Sequence, residues 1–135
     1  MQRNIRMPLN RPHDVACEMR SFRDLVVWQK SRTLVLRLDP IVKRIEPRNP
    51  RLADQLRRAA ESIPEAIAEG CGRATDKDFA HYVSMAGGSA SEVENQVQRA
   101  FDLRLIAEAE HTSLTADIVE IRKMLYGLHK RLRGG

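Results

Sequence analysis

Aromatic residues are scarce in this chain of 135 residues, where Phe, Trp and Tyr together account for 4% of the positions. The apolar share of 42% therefore comes mainly from Leu, Ile, Val and Ala. A β-sandwich would need more aromatic and β-branched side chains at alternating positions. The composition thus favours helices, and the length fits one domain that can bury a core without a metal or a disulfide.

Long apolar runs are missing as well. No stretch approaches the ~20 apolar residues that a transmembrane helix requires, and residues 1–20 lack the apolar region of a secretory signal. The two cysteines are Cys17 and Cys71. Two isolated thiols without an export signal are most simply explained by a reducing compartment. We therefore expect a cytoplasmic protein.

Recognisable catalytic and metal-binding motifs are also lacking. No pair among His13, His81, His111 and His129 has the i, i+4 spacing of a helical zinc site. No serine lies in a nucleophile elbow, and the segment 70–73 (GCGR) matches neither a P-loop nor a dinucleotide fingerprint. We predict that the protein is not an enzyme and binds no metal and no cofactor.

Glu61, Glu65 and Glu69 form an i, i+4 ladder of carboxylates, an arrangement that can serve acid–base chemistry or metal binding. On a helical wheel, however, Glu61 and Glu65 lie opposite the apolar face of their helix. We therefore expect them to be solvated or at a subunit contact, and partly paired with Arg57 and Arg58.

Helical periodicity dominates the chain after residue 20. The first helix is predicted from about Arg23 to Ile45, and Pro40 is expected to kink it or to split it into two pieces. Its apolar face combines a seam of Trp28, Ser31, Val35, Leu38, Val42 and Ile45 with a second stripe of Val27, Leu34 and Ile41.

The second helix has a clear start signal, with Asn49 as the N-cap and Pro50 as the first helical residue. Pro64 is expected to introduce a second kink. Gly70 is well placed as the left-handed residue that ends this helix.

Two further helices follow the heptad rule. The third is predicted to start near Thr75, with a seam of Phe79, Val83, Ala86, Ala90, Val93, Val97 and Ala100. The fourth is predicted to start at Thr112 or Ser113, with a seam of Leu114, Ile118, Ile121, Leu125, Leu128 and Leu132. Apolar residues at this spacing favour left-handed packing of the helices, and short connections make neighbours antiparallel. We predict an all-α, up-down-up-down, left-handed four-helix bundle over residues 21–133, preceded by a flexible tail over residues 1–20.

Gly87 and Gly88 lie in the middle of the third helix, where each glycine costs about 1 kcal/mol relative to alanine. We predict that a close backbone approach explains them, either to Ala59 and Ala60 of the second helix or around Trp28. A ligand cavity is the alternative.

The net charge of +5 is compatible with a nucleic-acid partner without requiring one. Basic residues concentrate in segments 43–58 and 122–135, and the second of these contains no acid. The residues predicted to contact phosphates are Lys43, Arg44, Arg48, Arg51, Arg57, Arg58, Arg73, Lys77, Arg122, Lys123, Lys130, Arg131 and Arg133. The alternative is an ordinary solvated face. No zinc finger, helix-turn-helix or RNP aromatic pair offers base readout, so binding would depend on charge and shape.

Four sets of residues carry a resemblance to a known family. They are Phe22, Asp24, Leu25, Val27, Trp28, Gln29 and Lys30; then segments 55–60 (QLRRAA), 62–64 (SIP), 67–70 (IAEG) and 72–73 (GR); then Ala86, Gly88, Ser89 and Glu92; and finally segment 123–125 (KML). Over about residues 21–132 the chain resembles the four-helix-bundle family called S23 ribosomal protein or 23S rRNA intervening-sequence protein. It departs from the family at Ala66, where asparagine is usual.

The resemblance implies a small, non-enzymatic homopentamer of helical bundles. Family members are encoded within rRNA intervening sequences or elsewhere in bacterial genomes. A similar bundle is the accessory variability determinant of diversity-generating retroelements, which binds nucleic acid and a reverse transcriptase. Two hypotheses follow. The first is an oligomeric accessory protein that binds nucleic acid, above all RNA. The second is a protein-interaction scaffold, for example for a reverse transcriptase.

Overall fold

Four α-helices make up most of the computed structural model, which describes residues 21–134. They are α1 (Val26–Ile45), α2 (Pro50–Cys71), α3 (Asp76–Asp102) and α4 (Glu108–Leu132), and a short 3-10 helix at Phe22–Asp24 precedes α1. No strand occurs within these residues. The predicted all-α four-helix bundle is confirmed. The tail predicted for residues 1–20 lies outside the described residues.

Two helix starts are capped as the sequence predicts. The Oδ1 atom of Asn49 accepts a hydrogen bond from the Leu52 N–H at 3.1 Å, and Pro50 is the first residue of α2. The Oγ1 atom of Thr75 accepts from the Asp78 N–H, also at 3.1 Å. Each cap satisfies a backbone donor that has no partner inside the helix.

The fourth helix begins at Glu108, several residues before the predicted start at Thr112 or Ser113. The side chain of Glu110 reaches back and accepts the Ala107 N–H at 2.8 Å. This bond holds the pKa of the Glu110 carboxyl below its ordinary value, against a smaller opposing effect of burial. The start was missed because alanine precedes the helix and offers no capping side chain of its own.

Neither proline interrupts its helix. Pro40 lies inside α1 and Pro64 lies inside α2, and both helices are continuous. The alternative in which Pro40 divides the first helix into two pieces is therefore wrong. The expected kinks stay predictions.

Contacts between side chains show the direction of α1 relative to α4. Near the start of α1, the Nζ atom of Lys30 lies 3.4 Å from Oε1 of Glu120, in the middle of α4. Near the end of α1, Arg44 lies 2.8 Å from Glu110, which is early in α4. The two helices therefore run antiparallel.

The other neighbouring helices are antiparallel by the same reasoning. Ser62 in the middle of α2 donates to Ser89 of α3 at 2.6 Å, whereas Gly70 near the end of α2 lies beside Phe79 at the start of α3. On α3 and α4, Glu94 contacts Arg122, while Gln98 contacts His111. The up-down-up-down order follows from these contacts, and the left-handed packing stays a prediction.

The core contains the complete predicted seams of α3 and α4, all thirteen residues of which are buried. On α1 the second stripe (Val27, Leu34 and Ile41) is buried. Two residues of the predicted main seam, Trp28 and Val35, are only partly buried. They are partly exposed because they face the junction with α2 rather than the centre of the bundle.

Gly70 does not end α2, so that prediction is wrong. It is a buried residue within the helix, which continues to Cys71. A Cβ atom on Gly70 would lie 2.7 Å from the Cβ of Tyr82 and 2.9 Å from the ring of Phe79. Helices α2 and α3 therefore approach each other too closely here for any side chain.

Gly87 and Gly88 show the opposite behaviour. A Cβ atom on either residue would have no atom of another residue within 4 Å, apart from its immediate chain neighbours and the backbone of its own helix. The predicted close approach to Ala59, Ala60 or Trp28 is therefore wrong for both glycines. They instead leave open space along α3.

Candidate nucleic-acid interface

The basic residues predicted to contact phosphates lie at both ends of the bundle. Because α2 has 22 residues, it separates the two ends by about 33 Å. One end carries Lys43, Arg44, Arg48 and Arg51, and the other carries Arg73, Lys77, Lys130, Arg131 and Arg133. The remaining four residues, Arg57, Arg58, Arg122 and Lys123, lie between the ends. The tertiary structure therefore does not join the set into one continuous footprint.

Six of these cations form ion pairs with acids of the same chain. The pairs are Lys43–Asp39, Arg44–Glu110, Arg57–Asp54, Arg57–Glu61, Arg58–Asp54, Arg73–Glu69 and Arg122–Glu94. All are at least partly exposed, so each pair stabilises the fold only weakly. Each acid nevertheless lowers the positive potential that its partner offers to a phosphate.

Arg44 belongs to a ladder of three ion pairs between α1 and α4. Its other cations are Lys30 and Arg37, and the three are seven residues apart along α1. The Arg37 guanidinium contacts Asp117 and also donates to Ser113 Oγ at 2.6 Å. Arg44 and Arg37 therefore join α1 to α4.

Arg73 is held by the ring of Tyr82. Its guanidinium lies 4.8 Å from the ring centroid and donates to the Tyr82 hydroxyl. These contacts raise the pKa of Arg73 above its ordinary value, with a smaller contribution from Glu69. Arg73 thus connects the end of α2 to the first turns of α3.

Seven of the predicted cations form no ion pair within the part of the chain that the structure describes, and all seven are exposed. They are Arg48, Arg51, Lys77, Lys123, Lys130, Arg131 and Arg133. Four of them belong to the C-terminal part of α4 and the residue after it, and Lys77 lies at the same end of the bundle. We call Lys123, Lys130, Arg131 and Arg133 the α4 basic cluster. It is the strongest candidate surface for phosphate contacts.

A groove of about 380 Å³ lies beside this cluster, between α3 and α4. Its lining residues are Val83, Ser84 and Gly87 from α3, and Arg122, Leu125, Tyr126 and His129 from α4. Tyr126 is 71% exposed. Tyr126, Ser84 and His129 are not among the site residues predicted from the sequence. The available signal was the position of Tyr126 between Lys123 and Lys130, three residues after one and four before the other.

A second groove, of about 470 Å³, lies between α1 and α2 and has a different character. Its apolar lining comes from Phe22, Trp28, Val35, Leu36, Pro64 and Ala68, and Arg32, Glu61 and Glu65 complete it. Leu36 is 58% exposed. An apolar groove that carries two carboxylates suits a protein surface better than a phosphate backbone.

The carboxylates of the α2 ladder, Glu61, Glu65 and Glu69, do not share one site: Glu61 and Glu65 line the groove between α1 and α2, whereas Glu69 pairs with Arg73. Glu61 pairs with Arg57 at 3.7 Å, as expected, whereas Arg58 pairs with Asp54 instead of the ladder.

Across residues 21–134, no group of three or more His, Cys, Asp or Glu side chains could hold a metal ion. In the same residues, no helix has the length and apolar content required to cross a bilayer.

Comparisons with known proteins agree with this architecture. The model of the 23S rRNA-intervening sequence protein family matches residues 23–127. The chain is also similar to a protein of unknown function from the S23 ribosomal protein family of Bacteroides thetaiotaomicron VPI-5482, whose crystal structure was determined at 1.70 Å. The two are 23% identical with a TM-score of 0.72, over 77% of this chain and 98% of that one. This likeness shows the fold alone. No curated protein matches the chain. Because the family model covers well over half of the residues, the chain belongs to the 23S rRNA-intervening sequence protein family.

Proposed function

We propose that this protein is a cytoplasmic, non-enzymatic, oligomeric accessory protein that binds nucleic acid, above all RNA. The observation that carries the proposal is the α4 basic cluster, whose cations are exposed and form no ion pair with acids among the described residues. Exposed cations of this kind bind phosphates by releasing counterions. The family name, which refers to an rRNA segment, supports RNA as the nucleic acid.

Binding to a structured RNA hairpin is expected to weaken steeply with salt. If about five phosphates are contacted, the affinity falls roughly five-hundredfold between 50 and 200 mM salt. Fluorescence anisotropy with a labelled hairpin measures this slope. Absence of binding, or an affinity that does not change with salt, contradicts the proposed function.

A matched pair of variants locates the interface. Lys130→Ala with Arg131→Ala removes two cations of the α4 basic cluster, and Arg48→Ala with Arg51→Ala removes two cations at the opposite end. Because the four cations form no ion pair among residues 21–134, neither double substitution removes the ion-pair partner of an acid there. Only the first double variant is expected to reduce the steepness of the plot of log affinity against log salt concentration, by about 1–2.

We further propose that the protein forms the homopentamer implied by the resemblance, and that the groove between α1 and α2 is one side of the contact between copies. Leu36 is exposed there in the single chain. The two carboxylates of the lining, Glu61 and Glu65, outnumber its one cation, Arg32, so the lining is opposite in sign to the net charge of +5 of the whole chain. A closed ring of five copies needs a head-to-tail interface, in which this groove meets a different surface of the next copy. Its acids would then face basic residues of the neighbour.

Replacement of Leu36 by glutamate is expected to break the assembly. The new carboxylate lies beside Glu61 and Glu65, and it has to be buried in the interface. Sedimentation equilibrium should give about five times the 15.4 kDa chain mass for the parent protein and a lower mass for the variant. Leu103→Glu is the control, because Leu103 is similarly exposed (46%) and does not line this groove. Equal masses for parent and Leu36→Glu contradict this interface.

A protein-interaction scaffold is the second candidate function, favoured by the same apolar groove. In that case a protein such as a reverse transcriptase would occupy the groove in place of another copy. A pull-down from nuclease-treated extract separates the alternatives, because a partner that depends on RNA is lost and a directly bound protein is retained.

A further inference from the structure

Tyr126 is one of the few aromatic residues of this chain, which is only 4% aromatic, and its ring is exposed. At 71% exposure it is the most exposed large hydrophobic side chain among residues 21–134. The other tyrosine, Tyr82, has its hydroxyl and ring engaged by Arg73. The helical packing of this bundle therefore does not account for the placement of Tyr126.

The charged residues three and four positions from Tyr126 along α4 are all cations. Lys123 and Lys130 lie on the same side of α4, because residues three and four positions apart share a helix face. Both are exposed and form no ion pair within the described residues. Arg122 lines the groove beside the ring and is oriented by Glu94, whose Oε1 accepts from its Nε at 3.0 Å.

Gly87 keeps the floor of the groove open. A Cβ atom there would have no other atom within 4 Å apart from the backbone of its own helix and its immediate neighbours, so close packing does not require glycine at this position. The space above Gly87 connects to the ring of Tyr126 and to the side chains of Ser84 and His129. These last two carry the hydrogen-bonding atoms that the edge of a nucleobase could use.

We infer that the groove between α3 and α4 binds an unpaired nucleobase stacked on Tyr126, with the adjoining phosphates held by Lys123 and Lys130. An aromatic ring beside a positively charged track is the arrangement by which proteins bind single-stranded nucleic acid. Bases inside a duplex are already stacked and do not offer a free face. The inference rests on the proposed function and deepens it, because it assigns the groove to single-stranded segments such as loops and bulges.

Tyr126→Ala is the decisive variant, and the probe is a short single-stranded oligoribonucleotide containing 2-aminopurine. Stacking on Tyr126 should quench its fluorescence in the parent protein. The Tyr126→Ala variant should lose the quench and about 5- to 150-fold in affinity for this probe. Tyr126→Phe retains the ring and should stay within about twofold of the parent. Leu103→Ala, which truncates an exposed apolar residue outside the groove, should leave both readouts unchanged.

A second probe and a second variant test whether the base, rather than the phosphates alone, is bound in the groove. A duplex RNA of the same length should bind equally to the parent and to Tyr126→Ala, because the phosphate contacts remain. Gly87→Leu should fill the floor of the groove and remove the quench, with the helical circular dichroism spectrum retained.

Unchanged single-strand affinity in Tyr126→Ala overturns the inference, while salt-dependent binding of the parent to RNA keeps the proposed function intact. If the parent protein binds neither single-stranded nor duplex RNA, both fail. If Tyr126→Ala lowers the sedimentation mass and leaves the quench unchanged, the groove is a contact between copies of the chain, and the inference is wrong.

Discussion

Replacement of Phe79 by alanine is expected to lower the free energy of unfolding by about 3–5 kcal/mol. Phe79 is fully buried, with 0% exposure, and its ring lies against Gly70 where α2 and α3 meet. The glycine has no side chain that could move into the space left by the ring, so the cavity should remain largely open.

Thermal and urea unfolding measure this loss. For a chain of this size the midpoint temperature should fall by roughly 15 °C. Both proteins must be compared at one protomer concentration, because self-association makes stability depend on concentration. Leu103→Ala is the control and should stay within about 0.5 kcal/mol, since Leu103 is 46% exposed. A loss below about 1 kcal/mol for Phe79→Ala would mean that the α2–α3 contact is not packed as described.

Gly70→Ala should destabilise the protein by about 1–3 kcal/mol, whereas Gly88→Ala should stabilise it by up to about 1 kcal/mol. Both residues are glycines within long helices, and the chemical change is the same. At Gly70 the added methyl group would lie 2.7 Å from the Cβ of Tyr82, an atom that moves only with its backbone. At Gly88 the methyl group would have no atom within 4 Å beyond its chain neighbours and the backbone of its own helix, so only the gain in helix propensity is expected.

The opposite signs are the informative result. Urea unfolding of the two variants beside the parent protein, at one protomer concentration, measures both changes in one series. The same sign for both variants would contradict the assignment of Gly70 as the position of close helix contact. A loss of stability in Gly88→Ala alone, growing with protomer concentration, would instead place Gly88 in a contact between copies.

Helix positions were predictable to the extent that local signals specify them. The side chains of Asn49 and Thr75 cap helices where the sequence predicts, because an N-cap and the N–H that it accepts are only three residues apart. The start of α4 was missed although Glu110 is also local. The reason is that the capping group lies inside the helix and the residue before it is alanine.

The glycines show a limit of sequence reasoning. Gly70, Gly87 and Gly88 all interrupt otherwise good helical sequence, and only contacts with another helix distinguish them. Helical periodicity identifies the face on which a residue lies, but it does not give the distance to the neighbouring helix. The prediction therefore assigned the close approach to the wrong glycines.

The candidate interface shows the same limit for charge. The sequence identifies every cation, but the acids that engage Arg44 and Arg122 are 66 and 28 residues away along the chain. Which cations stay available to a phosphate thus depends on which helices are neighbours. The division of the basic set between two ends of the bundle follows from the antiparallel order and was not anticipated.

The sequence by itself determined the fold class, the extent of most helices and the buried faces of α3 and α4, because apolar residues at heptad spacing must be removed from water together. Only the tertiary structure decided which glycine brings two helices together, which cations are already paired, and that Tyr126 lies exposed beside an open groove. These features depend on distances between helices, and such distances result from the packing of the whole bundle rather than from any local pattern.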